Sequence, residues 1–445
     1  MTLVLRGVRP WGGEVTDLAL ADGTIAAIGR GLPRGGDELD GKGDVVLPGL
    51  HDHHLHILAT GARRHSVDLA GLTGADAVCR ALALGTPHAG WLRAVGYDER
   101  AGGLPDAVLL DSWVPHTPLR LQDRTGALWV LNSAGLAALG RDDFPPGAER
   151  DAAGRPTGRF WREDKWLAAA LPTAVPDLAG LGQDLAALGL TGLTDAGAHN
   201  GPDEARLLSG ALPQHLVLMG SEALEAGEGY ALGPLKLLID ERDPPALDTL
   251  AARIGWARAR NRNVAAHCVT EAELAWFIAA LDAAGGARRG DRIEHGGLIP
   301  AGFIPTIAER GLSVVTNPAF IHDRGDRYRA TVPEAQWRDL YRARSLLTAG
   351  IPLAAGSDAP YASFDPWLGM RTARDRLTRA GRPLARRERL DARSALALYC
   401  TGTIATGAPA DLMLCTGGLD DVLADLDAGR VRATIVAGRI AFTRR

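Results

Sequence analysis

The middle of the 445-residue chain alternates short apolar runs with stretches whose apolar residues recur at helical spacing. Ala246 to Arg260, Glu271 to Ala284 and Trp337 to Thr348 keep their apolar residues on one face, which is typical of amphipathic helices. The apolar runs are Val45 to Leu50, Thr191 to Asp195, His215 to Met219, Pro234 to Ile239, Val264 to His267, Asp291 to His295, Ser313 to Asn317 and Pro352 to Asp358. Because this alternation favours parallel strands joined by crossover helices, eight such units predict an α/β fold, a closed (β/α)8 TIM barrel.

The two ends of the chain carry a different pattern, in which short strands are separated by glycine turns. The predicted strands are Leu3 to Val8, Val15 to Ala21, Thr24 to Ile28, Asp411 to Cys415 and Val431 to Phe442. We expect residues 1–44 and 400–445 to pair as one small β-sandwich domain beside a barrel of residues 45–399. Two separate β segments are the alternative.

The gap between the first and second apolar runs, about residues 57–190, is too long for one crossover and predicts an insertion. It holds candidate strands at Trp91 to Tyr97, Pro118 to Gln122 and Ala127 to Val130, with helices near Ser133 and Ala168. Because it follows the first strand, we expect it to emerge at the catalytic end of the barrel as a lid or specificity wall.

Composition and charge exclude several classes of protein. The formal net charge of −4 provides no basic patch of the size that nucleic-acid binding needs. The scattered cysteines Cys79, Cys268, Cys400 and Cys415 argue against a disulfide framework and against a cysteine zinc site. The first residues lack a signal-peptide pattern, and no apolar run reaches the ~18 residues of a membrane span. We therefore expect a cytoplasmic protein that acts on a small molecule, and a homodimer is left open.

The first chemical signal is the run from Leu47 to His56, which turns at Pro48-Gly49 and ends in His54-x-His56. Residues two apart on a strand point to the same side, so the two imidazoles share one small volume. Neutral imidazole is the commonest protein ligand for zinc. The pair predicts a metal site, with chance histidines at a polar strand end as the alternative; His53 should point away and is left out.

Further polar residues fall on the later runs. Lys236 lies inside the fourth run, and His267, His295 and Asp358 end the fifth, sixth and eighth. The carboxyl ends of barrel strands form one rim, where active sites of this fold lie. The pattern thus predicts four histidines, a carboxylate and a buried lysine around one opening. A snorkelling or salt-bridged lysine, core histidines and a helix-capping aspartate are the structural alternatives.

These residues carry a resemblance to a known family. Pro48-Gly49-x-x-Asp52-x-His54-x-His56, Lys236, the two later histidines and Ser357-Asp358 together resemble the amidohydrolase superfamily of metal-dependent hydrolases. Motifs similar to its amidohydrolase-3 (YtcJ-like) branch are Gly96-Tyr97-Asp98-Glu99, Asn132-Ser133, Arg292-Ile293-Glu294-His295 and Gly356-Ser357-Asp358-x-Pro360. Ala410-Asp411-Leu412 resembles the segment that returns the chain to the small β domain. The resemblance covers nearly the whole chain.

The resemblance implies an enzyme that hydrolyses a non-peptide C–N bond by a metal-activated hydroxide, in a linear amide, an N-acyl or N-formyl amine, or a cyclic amide. His54 and His56 would bind one divalent metal, and His267 and His295 a second. Lys236, carboxylated by CO2, would bridge the two metals, and burial among apolar neighbours favours the neutral amine that reacts. Asp358 would ligate the first metal and carry the proton. One or two ions fit, most simply zinc, with manganese or iron suiting similar ligands.

The substrate is less defined than the metal chemistry. Weaker predicted substrate contacts are Tyr97, Arg124 and Trp129 in the insertion and Asn317 after the seventh strand. The branch usually carries Asp-Gly-His where this chain reads Thr125-Gly126-Ala127, so no substrate is assigned.

Two other functions stay open at the level of the sequence. A heterocycle deaminase of the same superfamily is disfavoured by Lys236, because those deaminases usually work with one metal and without the lysine. A non-catalytic barrel kept for binding or assembly is disfavoured by the presence of all six predicted ligands.

Overall fold

A computed structural model describes residues 2–33, 36–171, 176–400 and 402–444 of the chain. The chain forms two compact units. Residues 1–57 together with 178–445 form the first unit, which contains a barrel and a sheet built from both termini. Residues 58–177 form the second unit, which lies within the predicted insertion and has a sheet of its own.

The first unit contains an eight-stranded parallel barrel, which confirms the predicted (β/α)8 fold. Its strands, numbered 1 to 8 in chain order, are Leu50–Leu55, Leu190–Asp195, His215–Gly220, Ala231–Leu237, Val264–Cys268, Arg292–His295, Ser313–Thr316 and Leu353–Ala355. Each strand pairs in parallel with the next one along the chain. Strands 2 to 8 begin and end within a few residues of the predicted runs.

The barrel closes where the chain leaves strand 8 and passes strand 1. Asp358 N donates to His54 O at 2.7 Å, and His56 N donates to Ala359 O at 2.8 Å. Gly356 permits this approach, because a Cβ at that position would lie 2.4 Å from His54 N. The glycine therefore brings the segment with Asp358 directly against the two histidines of strand 1.

Helices separate most of the barrel strands. In the first unit they are Leu178–Ala187, Pro202–Leu208, Leu247–Ala259, Glu271–Ala283, Phe303–Glu309, Ala319–Thr331, Arg344–Thr348, Pro366–Asp375, Ala392–Ala397 and Leu419–Asp425, with 3-10 turns at Glu334–Asp339, Arg386–Glu388 and Ala428–Arg430. The predicted single helix from Trp337 to Thr348 is wrong, because residues 340–343 interrupt it. None of the helices in the described ranges has the length and apolar character that crossing a membrane would require.

The terminal segments join in one sheet, as predicted for residues from both ends of the chain. Its strands are Thr2–Pro10, Thr16–Ala21, Thr24–Gly29, Asp37–Asp40, Val45–Pro48, Leu412–Cys415, Val431–Val436 and Arg439–Thr443. Val45–Pro48 pairs here with Leu412–Cys415, so the prediction that Val45 to Leu50 forms the first barrel strand is wrong. Gly49 separates this strand from barrel strand 1, which begins at Leu50. The sandwich arrangement of this sheet stays a prediction.

The second unit contains a six-stranded mixed sheet. Its strands are Ser66–Asp68, Leu92–Tyr97, Leu119–Asp123, Leu128–Leu131, Ala148–Arg150 and Pro156–Trp161. Its helices are Ala75–Ala83, Ala107–Trp113, Ser133–Leu139 and Asp164–Ala170, with a 3-10 turn at Glu99–Ala101; helix Ile57–Arg63 starts at the boundary between the units. The predicted strands and helices of the insertion are all present.

The barrel core explains how a lysine comes to lie inside it. Leu235 and Leu237 of strand 4 are fully buried in an apolar cluster with residues of helices Leu247–Ala259 and Glu271–Ala283. Side chains alternate along a strand, so Lys236 points to the opposite side, into the barrel. Ile293 of strand 6 lies in the same cluster, which directs its neighbour Glu294 inward as well.

Candidate metal centre

His54 and His56 lie at the carboxyl end of barrel strand 1, and the His54 side chain is 1% exposed. Asp52, also buried, fixes this strand end, because its Oδ1 accepts from His54 N at 3.1 Å and from Ser357 N at 3.0 Å. The two imidazoles meet edge to face, with ring centroids 5.6 Å apart. The His-x-His spacing thus delivers two imidazoles to one volume, as its alternation predicts.

Asp358 faces both of these histidines from the segment after strand 8. Its Oδ1 lies 3.3 Å from His54 Nε2 and 3.2 Å from His56 Nε2. This oxygen is buried and forms no well-aligned hydrogen bond with any of the described residues. The three side chains therefore lie close together without pairing this oxygen, which leaves it able to bind another group.

His295 and His267 come from strands 6 and 5, whose register places His295 beside Cys268 and His267 beside Glu294. The His295 ring lies 4.6 Å from the rings of both His54 and His267, measured between centroids. Asn317 Oδ1 lies 2.9 Å from His295 Nδ1, and Asn317 Nδ2 donates to Gly356 O at 2.9 Å. Asn317, predicted to contact substrate, therefore lies where it holds a predicted metal ligand.

Lys236 lies in the barrel interior with its side chain 2% exposed. Its Nζ has no hydrogen-bond partner among the described residues, and Glu294 Oε2 lies 3.9 Å away. Burial lowers the pKa of Lys236, although the charge of Glu294 opposes the shift. A lysine in this environment is less costly as a neutral amine than as an ammonium ion.

Burial sets the protonation of two histidines at the rim, His267 and His295. It lowers the pKa of His267 to about 4, with Lys236 adding to the shift, and it lowers the pKa of His295 well below 6.5. Both imidazoles are therefore neutral near pH 7, the form that binds a metal. Burial also disfavours ionised Asp358, but His295, His54 and His56 outweigh it and hold the pKa of this carboxyl well below its usual value.

The ligand atoms converge closely enough for a metal ion. One nitrogen each of His54 and His295 and one oxygen of Asp358 all lie within 4.8 Å of one another. His56 contacts the same carboxylate, and His267 packs against His295. Imidazole and carboxylate are the ligands that catalytic zinc sites use most. Strands 1, 5 and 6 and the segment after strand 8 bring them together on one rim.

Glu294 and Arg292 are site residues that ligand spacing alone does not identify. Glu294 Oε2 contacts His54 Nδ1, and Glu294 Oε1 accepts from Arg292 Nε. Burial disfavours the ionised form of Glu294, but the charges of Arg292, Lys236 and His54 outweigh it and lower the pKa of this carboxyl. The signal in the sequence is two charged residues, two positions apart, on one barrel strand.

The other predicted substrate contacts, Tyr97, Arg124 and Trp129, lie in the second unit and contact other residues of that unit. Tyr97 is 1% exposed, and its hydroxyl donates to Gly103 O at 2.8 Å. Trp129 Nε1 donates to Asp164 Oδ1 at 2.7 Å, and Arg124 Nε lies 3.2 Å from Asp98 Oδ2. These contacts stabilise the inserted sheet, and the substrate role of the three residues stays a prediction.

Comparison with known proteins identifies the family. The model of the amidohydrolase family matches residues 37–442. The chain belongs to the amidohydrolase family. It is 25% identical to putative amidohydrolase YtcJ of Bacillus subtilis, over 91% of this chain and 90% of that protein. It is 26% identical to the N-substituted formamide deformylase of Arthrobacter pascens, over 96% of this chain and 94% of that enzyme.

Solved structures agree on the fold of this amidohydrolase. An uncharacterized metal-dependent hydrolase of Pyrococcus horikoshii superposes with a TM-score of 0.73 at 18% identity, covering 94% of this chain and 98% of that one. A counterpart from Pyrococcus furiosus gives a TM-score of 0.72 at 19% identity, covering 94% and 100%. The predicted family is confirmed, as is the prediction of a metal-dependent hydrolase of non-peptide carbon–nitrogen bonds.

Proposed function

We propose that this amidohydrolase cleaves a linear amide, an N-acyl or N-formyl amine or a cyclic amide, with divalent metal held at the barrel rim. His54, His56 and Asp358 would hold one ion, and His267 and His295 a second. Zinc suits this set of nitrogen and oxygen donors most simply, with manganese or iron as alternatives. The observation that carries the proposal is the convergence of His54, His295 and Asp358 ligand atoms within 4.8 Å.

The buried polar atoms at the site fit this proposal. Lys236 Nζ and Asp358 Oδ1 are buried without a hydrogen-bond partner among the described residues. Leaving such atoms unpaired costs about 1–3 kcal/mol each, a cost that a native structure tolerates where another group binds. The neutral imidazoles of His267 and His295 supply lone pairs without first losing a proton.

The residues of the site have separate tasks in the proposed reaction. A divalent metal bound here lowers the pKa of water and polarises the carbonyl of the substrate. Asp358, kept ionised by the histidines around it, accepts the proton of the attacking water and returns it to the leaving nitrogen. His54 Nε2 and His56 Nε2 lie 3.3 and 3.2 Å from its Oδ1, so this carboxylate is beside the two histidines that would hold an ion.

Carboxylation of Lys236 is a further part of the proposal. The neutral Nζ attacks the carbon of CO2, so a nitrogen–carbon bond forms as one carbon–oxygen π bond opens. One proton then leaves the nitrogen for solvent, which produces a carbamate whose single negative charge is shared by two oxygens. Burial favours the neutral amine that this step requires. The carbamate would replace a repelling ammonium with oxygen ligands between two cations.

The proposed substrate class is inferred from the names of similar proteins and from the carbon–nitrogen bond that the family cleaves, not from the shape of a binding pocket. N-substituted formamides are the substrates that the name of the 26% identical enzyme gives. An N-formyl amine is the smallest member of the proposed class, and it needs the fewest contacts beyond its carbonyl. The homodimer and the cytoplasmic location stay predictions.

The test combines metal analysis with a substrate screen. Purified protein should contain one or two zinc ions per chain and should hydrolyse at least one N-formyl amine, N-acyl amine or cyclic amide. Dialysis against a chelator should abolish that activity, and zinc should restore it. Full turnover after complete metal removal would contradict the proposal, and release of ammonia from heterocycles alone would favour a deaminase.

A further inference from the structure

Glu294 is a fully buried carboxylate in the barrel interior whose two oxygens have different partners. Oε2 contacts His54 Nδ1, and Oε1 accepts from Arg292 Nε. The third neighbour is Lys236, whose Nζ lies 3.9 Å from Oε2. One side chain thus contacts a predicted metal ligand, a guanidinium and the candidate bridging lysine.

These contacts cross the barrel rather than follow its hydrogen-bond ladder. Glu294 lies on strand 6 and His54 on strand 1, and strands 7 and 8 separate the two in the sheet. Arg292 extends the connection, because its NH2 donates to His53 O at 3.0 Å and lies 3.7 Å from Met219 Sδ. The pair of charged residues therefore fixes the end of strand 1 from inside the barrel.

The contact determines which nitrogen of His54 is available to an ion. An ionised carboxylate only accepts hydrogen bonds, so His54 Nδ1 carries the proton. In the neutral imidazole, the form that binds a metal, Nε2 is then the unprotonated nitrogen. It is the atom that lies 3.3 Å from Asp358 Oδ1. A carboxylate behind an imidazole also fixes the ring orientation and increases the basicity of the ligating nitrogen.

We propose that Glu294 is a positioning residue that sets the tautomer and orientation of His54 and thereby the metal affinity of the rim. The inference rests on the proposed function, since it assigns a task within the same metal centre. A ligand role for Glu294 itself is disfavoured by geometry, because both of its oxygens already contact donors within the barrel.

The test compares Glu294→Gln with Glu388→Gln. Glu388 is a matched control, because it is also a buried glutamate bound to an arginine: its Oε1 lies 3.0 Å from Arg342 NH1, and it contacts none of the predicted ligands. Zinc affinity of the folded proteins is measured by competition with a chelator. Glu294→Gln should lower the affinity by about 10- to 100-fold while the number of zinc ions at saturation stays as in wild type.

A cobalt(II) spectrum separates positioning from a general loss of stability. Cobalt-loaded Glu294→Gln should show altered d–d bands, because His54 no longer has a fixed orientation, whereas Glu388→Gln should match wild type. Equal zinc affinity and equal spectra in Glu294→Gln and wild type would overturn the inference. Loss of one zinc ion at saturation would also overturn it, since that result indicates a ligand.

A second measurement uses wild-type protein to test the inference, so it remains available if the Glu294→Gln variant does not fold. Nitrogen-15 spectra of the zinc-loaded protein report the tautomer of each histidine, and His54→Gln identifies the signals of His54. The Nδ1–H tautomer is expected, and an Nε2–H tautomer would overturn the inference. Failure of wild type to bind any zinc would instead contradict the proposed function, so the two failures are distinguishable.

Discussion

Two buried polar atoms at the barrel rim and one buried amide in the inserted unit differ in their hydrogen bonding. At the rim, Lys236 Nζ and Asp358 Oδ1 are buried without a hydrogen-bond partner among the described residues. In the inserted unit, Asn132 is fully buried and uses all of its amide: its Oδ1 accepts from Leu119 N and Gly135 N, and its Nδ2 donates to Val114 O and Thr117 O. The first arrangement costs stability, and the second contributes to it.

The backbone of these residues also differs, since Asn132 has an ordinary φ of −73°. His295 and Asp358, two predicted ligands, have φ angles of 68° and 57°, in the left-handed region that residues with a Cβ rarely adopt. Each costs about 1–3 kcal/mol, and such strain clusters at functional sites. Among these residues, the unpaired atoms and the positive φ angles belong to the candidate metal site, whereas Asn132 has neither.

The largest expected effect is at Asp358. Asp358→Asn keeps the shape of the side chain but removes the carboxylate that moves the proton, so turnover should fall by about 10²- to 10⁴-fold. Steady-state kinetics on an amide that the wild type hydrolyses would measure the loss, and circular dichroism would verify folding. An Asp358→Asn enzyme with wild-type turnover would contradict the proton-shuttle role and weaken the contrast between the two regions.

Asn132→Ala tests the other side of the comparison. The change removes a helix cap and leaves several buried backbone groups unpaired, so the free energy of unfolding should fall by about 2–4 kcal/mol. Denaturant unfolding followed by tryptophan fluorescence would measure it. Zinc content of the folded protein should not change, because all predicted ligands lie in the other unit.

Asn317→Ala is the matched variant at the rim, since Asn317 is equally buried but contacts His295. It should lower zinc affinity as well as stability. If the two asparagine variants behaved alike in zinc affinity, the distinction between the two regions would not hold for these residues.

Lys236→Met should separate stability from function at the rim itself. Methionine fills a similar volume without a buried amino group, and Glu294 keeps Arg292 and His54 as partners. The metal-free variant should therefore be equal to wild type or up to about 1 kcal/mol more stable, while its zinc content falls. Thermal unfolding would measure the first effect and metal analysis the second.

The exposed Lys165 provides the control for this exchange, because Lys165→Met changes the same residue types on the surface. It should leave zinc content unchanged. A loss of more than about 1 kcal/mol in metal-free Lys236→Met would mean that the ammonium contributes to stability through Glu294, in contrast to the cost inferred from its unpaired Nζ.

The sequence predicts the barrel well because its strands are buried on both faces and produce continuous apolar runs. It misplaces strand 1, since Val45–Pro48 and Leu50–Leu55 are both extended and only their pairing partners distinguish them. Val45–Pro48 pairs with Leu412–Cys415, a strand more than 350 positions away along the chain. No local pattern reports a contact of that kind.

At the site, the predicted ligands can be identified from their spacing and from their positions at strand ends. The residues that orient those ligands cannot. Glu294 contacts His54 across the barrel, and Asn317 contacts His295 from the next strand. The first contact depends on how the barrel closes at Gly356, where a Cβ would lie 2.4 Å from His54 N, and the second depends on the register of strands 6 and 7. The residues that orient ligands are therefore visible only once the strands are placed in three dimensions.

The smallest expected effect concerns His215, at the start of strand 3, where a polar pair is exposed rather than buried. His215 Nε2 lies 2.9 Å from Asp411 Oδ1, and its side chain is 57% exposed. The hydrogen bond and charge of Asp411 raise the pKa of His215 above 6.5, although partial burial opposes the shift. A raised folded-state pKa contributes stability that is fully present below the unfolded pKa and is lost as pH rises through the folded value.

His215→Gln should therefore lower the free energy of unfolding more at about pH 5.5 than at about pH 8.5. The difference should not exceed about 1 kcal/mol, because the pair is exposed to solvent. Urea unfolding of wild type and variant at both pH values would measure it. Equal losses at the two pH values would mean that the imidazole acts through packing rather than charge. Polar pairs in this protein would then differ by burial alone, and the difference between the rim and the inserted unit would not reflect function.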